Sequence, residues 1–189
     1  MTVIDVVYDA CALHSASVRD LLLHIAEVGV VRPHWSNEIH EEWIGSLLRR
    51  RSDLNRESLE RTRRRMDEKY KNSLTEGCES LVPTLSLPDP NDRHVLAVAI
   101  HSRSSWIVTF NLRDFPRAVL QPYGIEAVSP DEFVLRLFQQ FPRAVLQAAN
   151  AHRLSLKRPP KTVGEYLATL EQQGLLKTVV FLREHKAYI

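Results

Sequence analysis

The stretch Thr2-Val3-Ile4-Asp5-Val6-Val7-Tyr8-Asp9 decides the fold class of this chain. It is rich in β-branched residues and only briefly interrupted by an acid, which is typical of a mostly buried strand in a parallel sheet. The strand is expected to end at Asp9. Three more strands are predicted farther along the chain, at residues 30–33, 106–110 and 125–128.

The segments between these strands show helical patterns. Helices are predicted at residues 18–28, from a cap at Ser36 to about residue 51, and at residues 54–70, 91–102 and 131–140. The last of these begins with Ser129 and Glu132 at capping-box spacing. Residues 81–87 are predicted to be extended, with prolines after them. Alternating strands and helices predict an α/β/α sandwich around a central, mainly parallel sheet.

The C-terminal residues 148–189 differ in character from the rest of the chain. A proline- and lysine-rich hinge at residues 157–161 precedes a second capping box at Thr162 and Glu165, and apolar residues then recur at near-helical spacing. We therefore expect one domain at residues 1–147 and a small helical extension at residues 148–189. A chain of 189 residues is long enough for one substantial core.

Bulk properties exclude several classes of protein. No apolar run approaches the roughly 18 residues of a membrane span and the N-terminus has no basic leader, so we expect a cytoplasmic protein with no membrane partner. Cys11 and Cys78 form neither a disulfide framework nor a zinc-site pattern, and both are interpreted as reduced packing residues. The sequence has neither a glycine-rich phosphate loop nor the nucleophile elbow of a serine hydrolase.

Acidic and amide residues lie where predicted strands end and helices begin. Asp9 ends one strand, and Asn111 and Asp114 follow another. Asp92 lies in the first turn of its helix, and Glu42 lies one to two turns into a different helix. Ligands of parallel sheets bind beyond the carboxyl ends of the strands. Carboxylates gathered there would repel each other without a divalent cation, and oxygen ligands suit Mg²⁺ or Mn²⁺, ions that support phosphodiester hydrolysis.

Each of these acids also has a purely structural interpretation. Asp9 could open a turn after its strand, and Asp114 could be an ordinary loop or cap residue. Asp92 with Asp89 could cap a helix, because the helix dipole favours carboxylates in the first turn.

Glu42 has a competing interpretation of its own. It lies among Glu38, Glu41 and surface-type residues, a pattern typical of the solvated face of a helix. Helical spacing distinguishes neither Glu42 from Glu38 and Glu41 nor Asp92 from Asp89 as the residue of a site.

The residues around these acids resemble those of PIN-domain proteins, in particular VapC-like toxins of the larger subgroup with a C-terminal helical segment. The similar stretches are residues 6–11 (VVYDAC), 35–39 leading to Glu42, 88–97 (PDPNDRHVLA) and 108–116 (VTFNLRDFP). They come in the family's order, and the resemblance covers residues 3–140. It implies a PIN-like fold.

The resemblance also implies roles for individual residues. It makes four acids the catalytic and metal-binding acids of the family: Asp9, Glu42, Asp92 and Asp114. It implies Asn111 as an adjacent metal ligand and Thr109 as a residue that orients a metal-associated water or a phosphate. Many relatives carry aspartate where this chain has Asn111, so the fourth acid acts either directly or through water.

The biological setting implied by the resemblance is that of a toxin. Such a protein is a ribonuclease dependent on Mg²⁺ or Mn²⁺ that cleaves structured RNA such as transfer or ribosomal RNA and is silenced by a cognate antitoxin. The C-terminal helices would then pack on the core, on a second copy in a homodimer, or on the antitoxin.

A basic segment spans residues 49–71, with ten Arg and Lys against five Asp and Glu in a chain of net charge +2. Arg61, Arg64 and Arg65 can share a helix face there and are candidates for binding RNA phosphates. The alternative is a solvated helix in which Glu57 pairs with Arg61 and Glu60 with Arg64. The sequence favours neither.

Two other functions compete with the ribonuclease. A catalytically silent PIN-like module would bind RNA or a protein partner through the basic helix, although four retained acids argue against an inert module. A structure-specific DNA nuclease would use the same metal chemistry.

Overall fold

A parallel sheet forms the centre of the fold in the computed structural model, which describes residues 3–189. Its strands are β1 (Ile4–Tyr8), β2 (Val31–His34), β3 (Trp106–Val108) and β4 (Glu126–Val128), in the order β2-β1-β3-β4. β1 pairs in parallel with β3, and β3 with β4, so that Tyr8 lies opposite Val108 and Val108 opposite Val128. The predicted α/β fold with a parallel sheet is confirmed. Thr2, which begins the predicted first strand, lies outside the described residues.

Helices connect and follow these strands. They are α1 (Ala10–His14), α2 (Ala16–Glu27), α3 (Asn37–Arg50), α4 (Arg56–Lys69), α5 (Arg93–His101), α6 (Arg117–Leu120), α7 (Pro130–Gln140), α8 (Pro142–Ser155), α9 (Val163–Gln172) and α10 (Leu176–Glu184). Helices α1, α6 and α8 were not predicted. The prediction that residues 81–87 are extended is wrong, because Val82–Thr84 form a 3-10 turn within this segment. Proline is favoured in the first turn of a helix, and Pro83 fits that position.

Side-chain caps set the starts of several helices. The Ser36 hydroxyl accepts the N–H of Ile39 at 3.2 Å and thereby begins α3. Thr162 and Glu165 form the reciprocal capping box of α9. Both caps were predicted from short-range spacing, and both are confirmed.

The sheet unit is a compact unit formed by Ile4–His14 and Arg32–Val128. Its core contains Val6, Val7 and Tyr8 of β1 and the indoles of Trp35 and Trp43, all fully buried. Helix α5 packs on β1 and β3. The direct pairing of β1 with β3 places their carboxyl ends next to each other.

The helical unit contains Ser15–Val31 and Ser129–Ile189. Within it α2 packs against α8 and α9, and α7 packs against α8 and α10. The carboxylate of Asp131 on α7 accepts the N–H groups of Lys177 and Thr178 at 3.0 and 2.8 Å, which joins α7 to the start of α10. Helix α8 runs across the proposed boundary at residues 147 and 148. The C-terminal helices belong to the same compact unit as α2, because α2 packs against α8 and α9.

No helix among residues 3–189 is both long enough and apolar enough to cross a bilayer.

Candidate active site

One cavity of about 720 Å³ in the sheet unit collects three of the four predicted acids. Its wall includes Asp9, Glu42 and Asp92, together with Asn111. Asp114 is not part of the wall, but its Oδ2 accepts a hydrogen bond from Asn111 Nδ2. The fold thus brings together residues that are widely separated in the sequence.

Asp9 follows β1 and is buried, with its carboxylate held in place by three donors. Oδ1 accepts the N–H of Ala10 at 2.6 Å. Oδ2 accepts the Thr109 hydroxyl at 2.6 Å and the Cys11 thiol at 2.9 Å. The N–H of Asp9 donates to the carbonyl of Val108 at 3.1 Å, which continues the pairing of β1 with β3. Asp9 is therefore held in one orientation at the cavity wall.

Thr109 supports Asp9 from behind the cavity. Its side chain is fully buried, and its hydroxyl donates to Asp9 and accepts the N–H of Asn111 at 2.9 Å. The hydroxyl thereby links the ends of β1 and β3. A role for Thr109 in orienting a water or a phosphate stays a prediction.

Cys11 belongs to the site, whereas the sequence analysis treated it as a packing residue. It lines the cavity, and its Sγ donates to Asp9 and accepts the N–H of Phe110 at 3.1 Å. Burial and the charge of Asp9 raise the pKa of the Cys11 thiol to about 12, so it stays protonated at neutral pH. Cys78 is a free, buried cysteine, as predicted.

His94 holds Glu42 and was missed by the sequence analysis. The imidazole is buried, and Nε2 lies 3.0 Å from Glu42 Oε1. Burial lowers the pKa of His94, but the hydrogen bond to Glu42 and the charges of Glu42, Glu38 and Asp9 outweigh this effect, so the net shift is upward. No local pattern marks His94, because its partner lies 52 positions away.

Glu38 and Glu41 also border the cavity but have other surroundings. Glu41 forms ion pairs with Arg56 and Arg63, each at 3.1 Å. Glu38 is exposed, and its Oε2 lies 3.7 Å from His94 Nδ1, beyond hydrogen-bond distance. Of these three glutamates, Glu42 alone is hydrogen-bonded to His94. The geometry favours Glu42 as the acid of the site.

Asp89, and not Asp92, acts as a cap. Asp89 Oδ1 accepts the N–H of Asn91 at 2.9 Å. Asp92 precedes α5 and makes no side-chain cap hydrogen bond. Its Oδ2 is buried and has no hydrogen-bond partner within the described part of the chain. The capping interpretation therefore holds for Asp89. Capping does not account for the carboxylate of Asp92 at the start of α5.

The pKa of Asp92 is raised by burial and by the other predicted acids. Burial raises the pKa of Asp92, and the charges of Asp9, Asp89, Asp114 and Glu42 raise it further, to about 6. Each neighbouring carboxylate disfavours a second negative charge close by. All four predicted acids therefore belong to one electrostatic environment.

The side-chain oxygens of the four acids and of Asn111 are ligands of the type that a hard divalent cation prefers. The donors are carboxylate and amide oxygens, which suit Mg²⁺ or Mn²⁺. A cation would satisfy the partnerless Oδ2 of Asp92 and offset the repulsion that raises its pKa. Over residues 3–189, however, no group of three or more His, Cys, Asp or Glu side chains is arranged to hold a metal ion. The acids surround the cavity without forming a closed set of ligands.

The arginines predicted to bind RNA are not part of this cavity. Arg61, Arg64 and Arg65 lie on α4, outside the wall. Arg61 pairs with Glu57 at 3.5 Å, as the solvated-helix alternative predicts, whereas Glu60 pairs with two other arginines and not with Arg64. A role for these three arginines in RNA binding stays a prediction.

Comparison with known proteins gives two family matches. Residues 3–113 match the family described as "PIN domain", and residues 130–184 match the family described as "VapC50 C-terminal domain". A curated relative from Mycobacterium tuberculosis (strain ATCC 25618 / H37Rv), named "Putative ribonuclease VapC50", is 47% identical over 58 residues. That match covers 29% of this chain and 34% of the relative, about a third of the relative's length. No solved structure matches the chain.

Proposed function

The chain belongs to the PIN-domain family, and on that premise we propose that it is a divalent-metal-dependent endoribonuclease and the toxin of a toxin–antitoxin pair. One observation carries the proposal: Asp9, Glu42 and Asp92 come from separate elements and line a single cavity. The name of the curated relative, a ribonuclease, supports the same reaction.

Mg²⁺ or Mn²⁺ is the proposed cofactor. The residues that would hold it are Asp9, Glu42, Asp92 and Asp114, with Asn111 as an amide ligand. When bound, such a cation supplies Lewis-acid activation of water and stabilises the charge that develops during phosphodiester hydrolysis. The partnerless oxygen of Asp92 supports a cation at this position.

The protein's own side chains supply the positioning. Thr109 and the N–H of Ala10 hold Asp9, and His94 holds Glu42. The donors Thr109 and His94 are buried, so their orientations are set by packing before any ligand arrives. Little reorganisation is then needed when a cation and RNA bind.

Replacing a site aspartate by asparagine keeps the shape of the side chain and removes its charge, and so tests whether the acids are needed for RNA cleavage. Asp9→Asn and Asp92→Asn should each reduce cleavage of a 5′-labelled RNA in Mg²⁺ or Mn²⁺ by about a hundredfold or more, because each removes a ligand charge. Asp53→Asn, at an exposed acid outside the cavity wall, is the matched control. It should cleave at the wild-type rate. Unchanged cleavage by both site variants, or by the wild-type protein in excess EDTA, would exclude the proposal.

Matched substrates distinguish the ribonuclease from the two competing functions. Single-stranded, hairpin and duplex forms of one sequence are offered as RNA and as DNA. Cleavage of RNA alone is expected. Equal cleavage of DNA would replace the proposal with a DNA nuclease, and a gel shift of RNA without any Mg²⁺-dependent product would identify a silent binding module.

In the cell, we propose a cytoplasmic toxin that cuts structured RNA, such as transfer or ribosomal RNA, and is held silent by a cognate antitoxin. The match to a VapC50 C-terminal domain supports this setting. Expression of the wild-type protein should arrest growth, and Asp92→Asn should relieve the arrest. Co-expression of a short protein encoded next to this gene should relieve it as well, and light scattering would show whether the toxin is a homodimer.

A further inference from the structure

The cavity wall changes charge along helix α3. Glu38 and Glu42 border the cavity from the first half of α3, and Ser46, Arg49 and Arg50 border it from the last turns. Positions 42, 46 and 49 follow helical spacing and share one face. A rise of 1.5 Å per residue separates Glu42 from Arg49 by about 10 Å along the axis. One helix therefore presents carboxylates and guanidinium groups to the same cavity.

The two cavity arginines have no acidic partner. Neither Arg49 nor Arg50 forms a hydrogen bond or an ion pair with any residue that the structure describes. Several other arginines of the basic segment are paired: Arg51 with Asp53, Arg56 with Glu41 and Glu60, and Arg63 with Glu41. If the cavity arginines only balanced the charge of the acids, contacts with those acids would be expected, and none is formed. Their side chains are exposed and available to an external anion.

Gly45 leaves room for the guanidinium of Arg49. A Cβ at position 45 would lie 3.3 Å from Arg49 Nη1, which is closer than ordinary contact. Arg49 therefore folds back by one turn along α3, over Gly45 and toward the acidic half of the helix. Glycine inside a helix is unfavourable compared with alanine, so the space above Gly45 comes at a cost to α3.

We propose that Arg49 and Arg50 bind a backbone phosphate of the RNA next to the scissile one and so position the substrate over the acids. The inference rests on the proposed ribonuclease function and deepens it. A guanidinium matches a phosphate through paired N–H donors, and such contacts fix the register of a nucleic acid without reading its bases.

The proposed phosphate contacts lie on α3 and not on α4. Arg61, Arg64 and Arg65 were predicted to contact RNA because they share a helix face within the basic segment. Arg49 and Arg50 belong to the same segment, but they border the cavity that contains the acids. Both sets of arginines carry the same type of charge, but only Arg49 and Arg50 line the cavity.

A matched pair of double variants separates the two sets experimentally. The test variant is Arg49→Gln with Arg50→Gln. The control is Arg64→Gln with Arg65→Gln, which removes the same charge from two exposed arginines of α4 outside the cavity. Fluorescence anisotropy of a 5′-labelled single-stranded RNA measures binding at several salt concentrations. Asp9→Asn serves as the background in Mg²⁺, so that cleavage is slow compared with the titration.

The test variant should bind RNA about tenfold more weakly than its background, and the slope of log K against log salt should fall by about 1. The control should lose less than about threefold in affinity, because its arginines lie outside the cavity. In cleavage assays with Asp9 intact, the test variant should raise KM and leave both kcat at saturating RNA and the Mn²⁺ affinity unchanged.

Equal losses of RNA affinity in the two double variants would overturn the proposal, because the effect would then be one of general charge. A loss of Mn²⁺ affinity without a loss of RNA affinity would overturn it as well, since the arginines would then support the metal site. If the wild-type protein shows no Mg²⁺-dependent cleavage, the ribonuclease proposal fails by itself. The binding titration would still decide whether Arg49 and Arg50 hold RNA.

Discussion

His94 Nε2 lies 3.0 Å from Glu42 Oε1, and this hydrogen bond joins α5 to α3. The imidazole is buried, and its Nδ1 has no hydrogen-bond partner among the residues that the structure describes. His94 is not part of the wall of the acidic cavity. It is therefore a positioning residue, which sets the place of the Glu42 carboxylate.

Replacing His94 should weaken the site through Glu42. His94→Leu keeps apolar packing and removes the donor, so Mn²⁺ affinity by calorimetry and RNA cleavage should each fall by about 10- to 100-fold. His94→Gln keeps an N–H donor and should recover part of both. His101→Leu, at the exposed end of α5, is the control. Wild-type Mn²⁺ affinity in His94→Leu would contradict the positioning role.

Thr109 should be as important for stability as for activity. Thr109→Val keeps the shape of the side chain but removes the donor to Asp9 and the acceptor for the N–H of Asn111. We expect the free energy of unfolding to fall by about 1.5–3 kcal/mol, measured in urea, with a loss of cleavage. Thr109→Ser retains the hydroxyl and should keep most of both properties. Equal behaviour of the two variants would show that the hydroxyl does not hold Asp9.

Gly45→Ala should separate stability from RNA binding. Alanine favours the helix by about 0.5–1 kcal/mol, and the Arg49 guanidinium is the movable end of an exposed side chain, so the free energy of unfolding should rise. RNA affinity should fall, because the Cβ displaces Arg49. In an Arg49→Gln background, Gly45→Ala should have no further effect on RNA binding. An equal loss in both backgrounds would show that Gly45 acts independently of Arg49.

His152 should make the stability of the helical unit depend on pH. Burial, together with the charges of His24 and Lys161, lowers the pKa of His152 to about 4. The unfolded chain, with a histidine pKa near 6.5, binds more protons between these values, so stability is full above about pH 6.5 and is lost as the pH falls toward about 4.

The loss due to His152 should amount to at most about 3 kcal/mol. Urea unfolding at about pH 7.5 and about pH 5 measures most of it. His152→Gln should reduce this difference, whereas His101→Gln should leave it unchanged. A pH dependence that is identical in wild type and His152→Gln would refute the assignment.

Much of the fold could be predicted because its signals are local. β-Branched runs marked the strands, and the spacing of Ser36 to Ile39 and of Thr162 to Glu165 placed two caps within one turn. The 3-10 turn at Val82–Thr84 was missed because Pro83 is compatible with both a helical turn and an extended chain. Helix α8 was missed as well. It packs against α2, which is far away in the sequence, so no local pattern shows this contact.

The sequence by itself determined the types of acid available and their places at strand ends and helix starts, since these depend on neighbours within about four residues. The tertiary structure decided which of them share a cavity. Bonds across 52 positions, from His94 to Glu42, and across 100 positions, from Thr109 to Asp9, exist only after α3, α5 and the ends of the strands have packed together. Helical spacing leaves several glutamates and arginines equivalent, and packing alone makes Glu42 and Arg49 different from their neighbours.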